Sequence, residues 1–373
     1  MTLLREVHER HDAAFEERGD RAFVANYGRP ARSHDAVRNV VGVTEMSYDV
    51  LAVTGSDRIE YVDNAVSNTV PTAEGRGAYA LLLTPQGRIR TDMYVYNAGE
   101  RLLVFLPPGN GTPVAEDWSE KTFIQDVDIA VVSDEFGVFG VYGPEATEKV
   151  ASVFTEGTPA EQLTFTRGSM GEAGVTVIRT DALTGETGYE VVCDASAAED
   201  VFDTLENRGL NAAPFGLTAW RSLTLEAGTP LFEPELEDGV PNNLGLRNAV
   251  DFEKGCFVGQ EVVSRVENRG QPTKRLVGLT LDAGFDTEIP LPDPGATVFD
   301  GDESLGEMTR AVHSPTREEP VAMALLARDV VEQFGANGAL DVRIGGEERP
   351  ATAVDLPLIE GSERSARTPA YHQ

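Results

Sequence analysis

Three apolar segments joined by two short turns occupy residues 78–108, AYALLLTPQGRIRTDMYVYNAGERLLVFLPP. The turns TPQG and NAGE carry the Pro, Gly and Asn that are typical of tight turns, so this stretch predicts an antiparallel β-meander. Just before it, SDRIEYVDNAVS at residues 56–67 places Ile59, Val62 and Val66 at helical spacing. A helix followed by a meander predicts one α+β lobe.

A second α+β lobe is predicted downstream of the first. Residues 128–154 indicate two strands and a helix, residues 174–193 a hairpin, and residues 197–210 an amphipathic helix. The first 25 residues are polar and predict a peripheral helix. The mixture of hairpins and helices gives an α+β fold class for the larger part of the chain.

The C-terminal part has a different pattern. After Lys274, short strands alternate with Gly, Pro and Asp, which is typical of a small β-barrel or sandwich. The final residues, GSERSARTPAYHQ, lack apolar periodicity. We therefore divide the chain into a region of two interleaved lobes over 1–272, a barrel over 273–360 and a flexible tail over 361–373.

The chain is strongly acidic, with 62 Asp and Glu against 31 Lys and Arg and a net charge of −31. At molar salt the Debye length falls to about 3 Å, which removes most of the resulting self-repulsion. We expect a protein of a salt-loving organism, and an acidic mesophilic protein is the alternative. Such a surface disfavours direct binding to nucleic-acid backbones.

The sequence contains few signals for targeting to a membrane or for binding a metal. No apolar run reaches the roughly 20 residues that cross a bilayer, and the charged N-terminal segment lacks a signal-peptide core. The two cysteines and five histidines match no disulfide framework and no metal-ligand spacing. We expect a cytoplasmic monomer without a membrane segment or a bound metal.

The segment KGCFVGQEVVSRV, residues 254–266, holds one of the two cysteines and one of only four lysines. Three valines recur every four residues, which predicts a helix beginning near Gly259. Positive charge and a helix N-terminus both stabilise a thiolate, and Lys254 lies two positions from Cys256. From spacing alone, two interpretations stay open: a reactive thiol, or a small buried cysteine in a glycine turn beside a solvated lysine.

KGCFVGQEVVSR, followed by TKRL at residues 273–276, resembles the hallmark of the YgfZ family. These are folate-binding relatives of the glycine-cleavage T-protein that are linked to maintenance of iron–sulfur enzymes. A wider resemblance to the T-protein superfamily runs from about residue 34 to 358 and includes TPQGRIRTDMYVY, TGETGYE and RSLTLEAGTPLF in the same order. It implies two α+β lobes with ferredoxin-like elements and a C-terminal barrel around a central hole for folate, with tetrahydrofolate or a derivative as the cofactor.

The resemblance also implies roles for particular residues. Glu186 matches a glutamate that binds the pterin in the superfamily. A carboxylate can accept two parallel hydrogen bonds from the N–H groups of a pterin. The alternative is that TGET is an ordinary turn. Asp92 lies where T-proteins carry two adjacent aspartates, one of them catalytic, and could move a proton or cap a turn. Tyr79 matches a pocket-lining tyrosine, or could belong to the core. The full expected set is, as catalytic residues, Cys256, Lys254 and Asp92, and, as cofactor-binding residues, Glu186, Tyr189, Tyr79, Arg221 and Gln260.

Three positions depart from the T-protein pattern. Cys256 replaces an aspartate, Leu106 replaces an asparagine, and Trp220 stands where an arginine is expected, with Arg221 displaced by one. These changes weaken the case for transfer from a lipoyl-bound aminomethyl group. The leading hypothesis is therefore a YgfZ-like protein that binds tetrahydrofolate and supports iron–sulfur proteins or their assembly factors. The alternative is a folate-dependent aminomethyltransferase or demethylase, and a non-enzymatic folate sensor is a third interpretation.

Overall fold

A computed structural model describes residues 2–18, 21–281, 291–334, 338–344, 347–361 and 363–368. The α-helices are α1 Arg5–Arg10, α2 Pro30–Asn39, α3 Arg58–Ala65, α4 Gly111–Ser119, α5 Ala146–Val153, α6 Ala198–Asn207, α7 Leu217–Glu226, α8 Pro241–Leu244, α9 Gln260–Arg269 and α10 Arg328–Phe334. Short 3-10 or π-helical turns span Ser133–Glu135, Ala195–Ala197, Phe232–Leu236 and Arg247–Ala249.

The strands before the barrel are β1 Ala14–Arg18, β2 Arg21–Asn26, β3 Gly42–Glu45, β4 Asp49–Thr54, β5 Gly77–Leu83, β6 Ile89–Asn97, β7 Leu102–Leu106, β8 Asp128–Val131, β9 Phe136–Tyr142, β10 Phe165–Met170, β11 Ala173–Arg179, β12 Gly188–Asp194 and β13 Ala213–Pro214. The remaining strands are β14 Lys274–Leu281, β15 Thr297–Asp300, β16 Glu303–Ser314, β17 Glu319–Ala327, β18 Ala339–Ile344 and β19 Glu347–Val354.

Two sheets pack face to face in the first two thirds of the chain. The first has the order β5-β6-β7-β4-β8, and the second has the order β10-β11-β12-β9-β3-β13. Apolar side chains fill the layer between the sheets, while α3 and α4 cover the outer face of the first and α5 and α6 that of the second. The result is a helix–sheet–sheet–helix arrangement. Because side chains alternate along a strand, each strand sends one set inward and one set to its helices.

The second sheet is discontinuous in sequence. Its strand β3 precedes the whole first sheet and pairs antiparallel with β9, which follows that sheet. The six strands β14–β19 then close into a barrel with the order β14-β17-β16-β15-β18-β19. The barrel contacts α7 through β16 and through a small apolar cluster that includes Leu225 and Met323.

The predicted fold class is confirmed: two α+β lobes are followed by a closed barrel. The expected N-terminal helix is wrong beyond its first turns. Only α1 is helical there, and β1 and β2 form an antiparallel hairpin in which Phe15 opposes Val24 and Glu16 opposes Phe23. The apolar side chain of Phe23 is buried, and this burial favours a strand that packs on the core over a polar helix at the surface. Among the described helices, none combines the length and apolar character needed to span a membrane.

Candidate functional site

A cavity of about 600 Å³ opens where the two lobes meet the barrel. This volume lies within the usual range for small-molecule sites. Its walls come from the N-terminal hairpin, β3, β6, β7, α7, the π-helical turn and β16, and include the aromatic side chains Phe23, Tyr48, Tyr94, Phe105, Trp220 and Phe232. The aromatic side chains form a slot that suits a flat heterocycle. The described lining also contains seven charged side chains, Arg18, Glu45, Asp92, Arg221, Glu233, Arg310 and Arg367.

Asp92 lies in the wall of this cavity and is only 3% exposed. Its Oδ2 accepts a 2.9 Å hydrogen bond from the hydroxyl of Tyr79 and lies 3.2 Å from Nη2 of Arg367. Its Oδ1 is buried and has no hydrogen-bond partner among the residues that the structure describes. A buried carboxylate oxygen without a partner is costly, so this atom is the natural acceptor for a ligand N–H group.

Arg367 comes from the segment expected to be a flexible tail, and the structure gives part of that segment a different course. Residues 363–368, called the strap below, fold back onto the second lobe. Backbone N–H groups of Glu363 and Ala366 donate to the carbonyls of Gly185 and Asp181, at 2.9 and 3.0 Å. Residues 362 and 369–373 lie outside the described part of the chain. These hydrogen bonds fix the strap on the second lobe. The strap in turn places the guanidinium of Arg367 beside buried carboxylates.

The guanidinium of Arg367 balances two buried carboxylates. It lies 3.2 Å from Asp92 and 3.8 Å from Asp181, and it covers the rings of Tyr79 and Tyr94 at 4.4 and 5.4 Å. The hydroxyl of Tyr94 donates to both oxygens of Asp181 at 2.9 Å. Burial raises the pKa of Asp181, and the guanidinium opposes that rise. Tyr79 therefore belongs to the Asp92 cluster, but it is buried in the core and does not line the cavity. The sequence does not predict Arg367.

A third buried carboxylate, Glu190 on β12, points into the layer between the sheets. Its Oε1 accepts a 2.7 Å hydrogen bond from the hydroxyl of Tyr48, a residue of the cavity wall. Burial raises the pKa of Glu190 to about 7, and the hydrogen bond from Tyr48 opposes the rise. A polar residue within the apolar strand GYEVVCD was the available sequence signal for this position.

Glu186 and Tyr189 lie elsewhere. Glu186 contacts Arg38 at 3.1 Å, inside a buried network that also holds Glu226. Tyr189 faces the helical layer, where its ring lies under the guanidinium of Arg179 at 5.0 Å. The alternation of strand side chains explains this, because Tyr189 and Glu190 must point to opposite faces of β12. In the described part of the chain, Glu186, Tyr189 and Glu190 all lie outside the cavity wall, but Glu190 accepts a hydrogen bond from the wall residue Tyr48.

The KGCFVGQE segment also lies outside the cavity wall. The Nζ atom of Lys254 donates to the carbonyls of Asp63, Val66 and Asn68 at 2.6, 3.2 and 2.9 Å, and its side chain is 4% exposed. These bonds close the C-terminal end of α3, which a cation stabilises. The amine is therefore committed to the backbone of the first lobe, and the sequence-based hypothesis that it tunes the thiolate gains no support from its contacts.

Cys256 is exposed, whereas the other cysteine, Cys193, is buried. The predicted helix begins at Gln260, whose Nε2 donates to the carbonyl of Lys254 at 3.3 Å. Gly259 precedes it with φ +82°, a backbone conformation that favours glycine. Gln260 thus closes the loop that carries the thiol and does not reach the cavity.

Arg221 does line the cavity, next to Trp220. Its Nη2 donates to Oε1 of Glu16 on β1 at 2.7 Å, so this cation is partly neutralised. The indole of Trp220 packs on the ring of Tyr142 at 5.4 Å between centroids. Within the described ranges, no group of three or more His, Cys, Asp or Glu side chains is placed to hold a metal ion.

Comparison with known proteins agrees with this architecture. The GCVT N-terminal domain family matches residues 4–254, and the glycine cleavage T-protein C-terminal barrel domain family matches residues 274–360. Proteins named aminomethyltransferase from Saccharopolyspora erythraea and Cutibacterium acnes are each 31% identical to this chain, covering 96% and 97% of it and 97% and 98% of their own lengths. The crystal structure of glycine cleavage system aminomethyltransferase T from Bartonella henselae has the same fold, with a TM-score of 0.85 at 22% identity over 98% of both chains. The chain therefore belongs to the glycine cleavage T-protein family.

Proposed function

We propose that the protein binds tetrahydrofolate in the cavity between the lobes and the barrel and transfers a one-carbon unit to it, as a folate-dependent aminomethyltransferase. The observation that carries this proposal is Oδ1 of Asp92, which is buried in the cavity wall and has no hydrogen-bond partner in the described part of the chain. Family membership supports it, since members of the family use tetrahydrofolate and full-length relatives are named aminomethyltransferase. Aminomethyl transfer, which the sequence supports as the alternative to a YgfZ-like role, is therefore the leading proposal.

The residues present fit a reduced folate. An aromatic slot accepts the flat pterin, and Asp92 in the cavity wall provides one acceptor for its N–H groups. Glu190 lies behind Tyr48 of that wall, and it becomes a second acceptor if the Tyr48 side chain gives way to the ligand. Tetrahydrofolate supplies N5, the nitrogen that receives the one-carbon unit. When N5 forms a bond to the donor carbon, that carbon loses its bond to the leaving group of the donor. Asp92 would take the proton that N5 releases and return it to the leaving group, because its Oδ2 is fixed by Tyr79 and Arg367 while Oδ1 has no partner among the described residues.

The donor side of the cavity differs from the expected pattern. Leu106, which replaces an asparagine, is fully buried in the core under α3 and α4. Trp220, which replaces an arginine, places an indole in the cavity wall. We therefore propose that an amine-derived donor packs against the indole of Trp220, with Arg221 among the cations of the cavity wall.

Turnover tests the proposal directly. Purified protein is incubated with tetrahydrofolate and, in turn, a glycine-cleavage aminomethyl intermediate and dimethylglycine, and methylene- or methyltetrahydrofolate is quantified. Formation of either product supports the transferase. Clear folate binding without turnover of any donor would reject transfer while leaving the binding site in place.

Glu190, rather than Glu186, is expected to control pterin affinity. A carboxylate must be ionised to accept two N–H bonds, and burial raises the pKa of Glu190 to about 7. The affinity for tetrahydrofolate should therefore fall below about pH 7, approaching about tenfold per pH unit. Titration calorimetry between pH 6 and 8 measures this dependence.

Two neutral variants separate the glutamates. Glu190→Gln should weaken binding at pH 8 and abolish the pH dependence, whereas Glu186→Gln, the matched control, should keep it. A Glu186→Gln variant that loses binding while Glu190→Gln does not would restore the sequence-based assignment of the pterin to Glu186.

A YgfZ-like role is the second candidate function, and the exposure of Cys256 favours it. An exposed thiol outside the cavity is accessible to a partner such as an iron–sulfur protein or its assembly factor. One cysteine cannot hold a cluster alone, because such sites usually take four protein ligands. In this role the thiol acts on the partner, and the folate site in the cavity is a separate requirement.

Cys256→Ser distinguishes the two candidates. We expect methylenetetrahydrofolate formation to change less than about twofold, because substitutions at exposed positions away from a site have small effects. In cells that lack the native gene, the activity of an iron–sulfur enzyme measures the other role. Loss of rescue by Cys256→Ser, with folate turnover intact, would establish the thiol role, and full rescue would remove it.

A further inference from the structure

A second cleft, of about 640 Å³, lies beside the strap. Its walls come from α8, the first residues of β14, the start of α10, the segment after β19 and the strap itself. Four of its side chains are cationic, Lys274, Arg275, Arg328 and Arg364, and one is acidic, Asp355. The cleft therefore has a formal charge of +3, four minus one, in a chain whose net charge is −31.

These cations are incompletely neutralised. Arg328 pairs with Glu332 at 2.5 Å, and Arg364 donates to the carbonyl of Leu356 at 2.9 Å. Lys274 and Arg275 have no ion pair and no side-chain hydrogen bond within the described part of the chain, and Asp355 likewise pairs with none of the cations there.

Elsewhere on the protein, several exposed arginines have carboxylate partners, although Arg29 and Arg32 have none among the described residues. Arg10 contacts Glu199, and Arg265 contacts Glu261, both at 2.5 Å. With twice as many acidic as basic residues, such partners are abundant. The cleft wall has four cationic side chains and one carboxylate, whereas acidic residues outnumber basic residues two to one in the whole sequence. Like charges that share a cleft repel one another unless an anion lies between them.

The side-chain types point to the chemistry of the ligand. Arg binds phosphate and carboxylate groups through paired N–H donors, and Lys adds a compact positive charge. Asn242 also lines the cleft, and its Oδ1 is buried without a hydrogen-bond partner in the described ranges. This amide can accept a hydrogen bond from a hydroxyl or amino group of the same ligand.

We propose that this cleft binds a small polyanion, a molecule of metabolite size with at least two phosphate or carboxylate groups, and that its binding stabilises the strap. Arg364 and Thr368 of the strap form one wall, while Arg367 between them reaches the Asp92 cluster. A ligand that contacts the ordered strap favours the ordered state by its differential affinity. Occupancy of the cleft thereby helps to keep Arg367 beside Asp92. Anion binding itself does not rest on the proposed function.

Titration calorimetry of the full chain, with pyrophosphate and with citrate as probes, tests the site. The parent should bind at least one probe at a single site, and a Lys274→Gln/Arg275→Gln variant should bind at least about tenfold more weakly, because charge-assisted hydrogen bonds are lost. Lys121→Gln/Arg10→Gln is the matched control, with the same charge change at exposed positions outside the cleft, and should stay within about twofold of the parent.

The outcomes are distinct. Absence of binding by the parent, or equal losses in both double variants, would overturn the site, since equal losses report only general electrostatics. Binding of pyrophosphate alone or of citrate alone identifies phosphate or carboxylate as the recognised group.

Hydrogen exchange of the strap amides tests the link to Arg367. Bound pyrophosphate should slow exchange at Glu363 and Ala366, whose N–H groups donate to the second lobe. Unchanged exchange at these two amides despite measured binding would overturn that link. Folate turnover enters neither measurement, so failure of this proposal and failure of the transferase proposal are separable.

Discussion

Asp92→Asn is expected to lower the rate of methylenetetrahydrofolate formation by about 10²- to 10⁴-fold, the range that a positioned proton acceptor contributes. The amide keeps the shape of the side chain and can still accept the hydrogen bond that Tyr79 donates. It cannot take a proton. Affinity for tetrahydrofolate should change far less than turnover, and steady-state kinetics together with calorimetry separate the two effects.

Asp181→Asn is the matched control for this substitution. Asp181 is buried like Asp92 and is paired with the same guanidinium, so both variants remove one negative charge from the cluster. Asp181 does not line the cavity. Equal loss of turnover in both variants would contradict a direct role for Asp92 and would point to the charge balance of the cluster instead.

Arg367→Met is expected to lower the free energy of unfolding by about 3–5 kcal/mol at neutral pH, the cost of leaving buried charges without their partner. Two carboxylates, Asp92 and Asp181, lose the guanidinium together. Since burial already raises the pKa of Asp181 and Arg367 opposes that rise, removal of Arg367 raises it further. The ionised form of Asp181 is then the destabilised one.

The pH dependence of this variant follows from the same shift. The stability deficit is full above the raised pKa of Asp181, where the folded state holds an unpaired charge. It shrinks as the pH falls through that pKa, because the folded state takes up the proton first. Unfolding midpoints of parent and variant should converge toward about pH 4, the pKa of an unfolded aspartate.

Thermal or denaturant unfolding from pH 4 to 8 measures this convergence. Arg265→Ala is the control, since Arg265 is 66% exposed and its ion-pair partner among the described residues is the exposed Glu261. That change should stay within about 0.5 kcal/mol at every pH. A deficit of Arg367→Met that is independent of pH would show that the side chain stabilises the strap by packing alone.

The sequence predicts best where a pattern is local. The meander over 78–108, the helix α3 and the start of α9 follow from periodicity and turn residues, and they are found where expected. Asp92 and Tyr79 meet because β5 and β6 are neighbouring strands of that meander, joined by one turn. The resemblance to T-proteins added the fold of the whole chain, which periodicity alone does not give.

The remaining parts depend on contacts between distant segments. Arg367 reaches Asp92 across 275 positions, and no local pattern distinguishes it from other arginines. The sequence suggests that Lys254 is a partner of the nearby thiol. In the structure its amine instead donates to backbone carbonyls at the C-terminal end of α3, almost 190 positions earlier in the chain. Glu186 lies in the turn before β12 and contacts Arg38, whereas Glu190 lies on β12 and points between the two sheets, so the assignment of the pterin carboxylate required the packing of the sheets.

In the sequence, all strands of the first sheet lie between β3 and β9, two paired strands of the second sheet. This order has a consequence for folding during synthesis. Strands β4–β8 form one uninterrupted stretch, so the first sheet can assemble as soon as residues 49–131 have left the ribosome. The second sheet must wait, because β3 emerges early but finds its partner β9 only about 90 residues later. We expect ribosome-bound chains in which residue 131 has left the exit tunnel, while β9 has not, to contain a protease-resistant first lobe with β3 still unpaired.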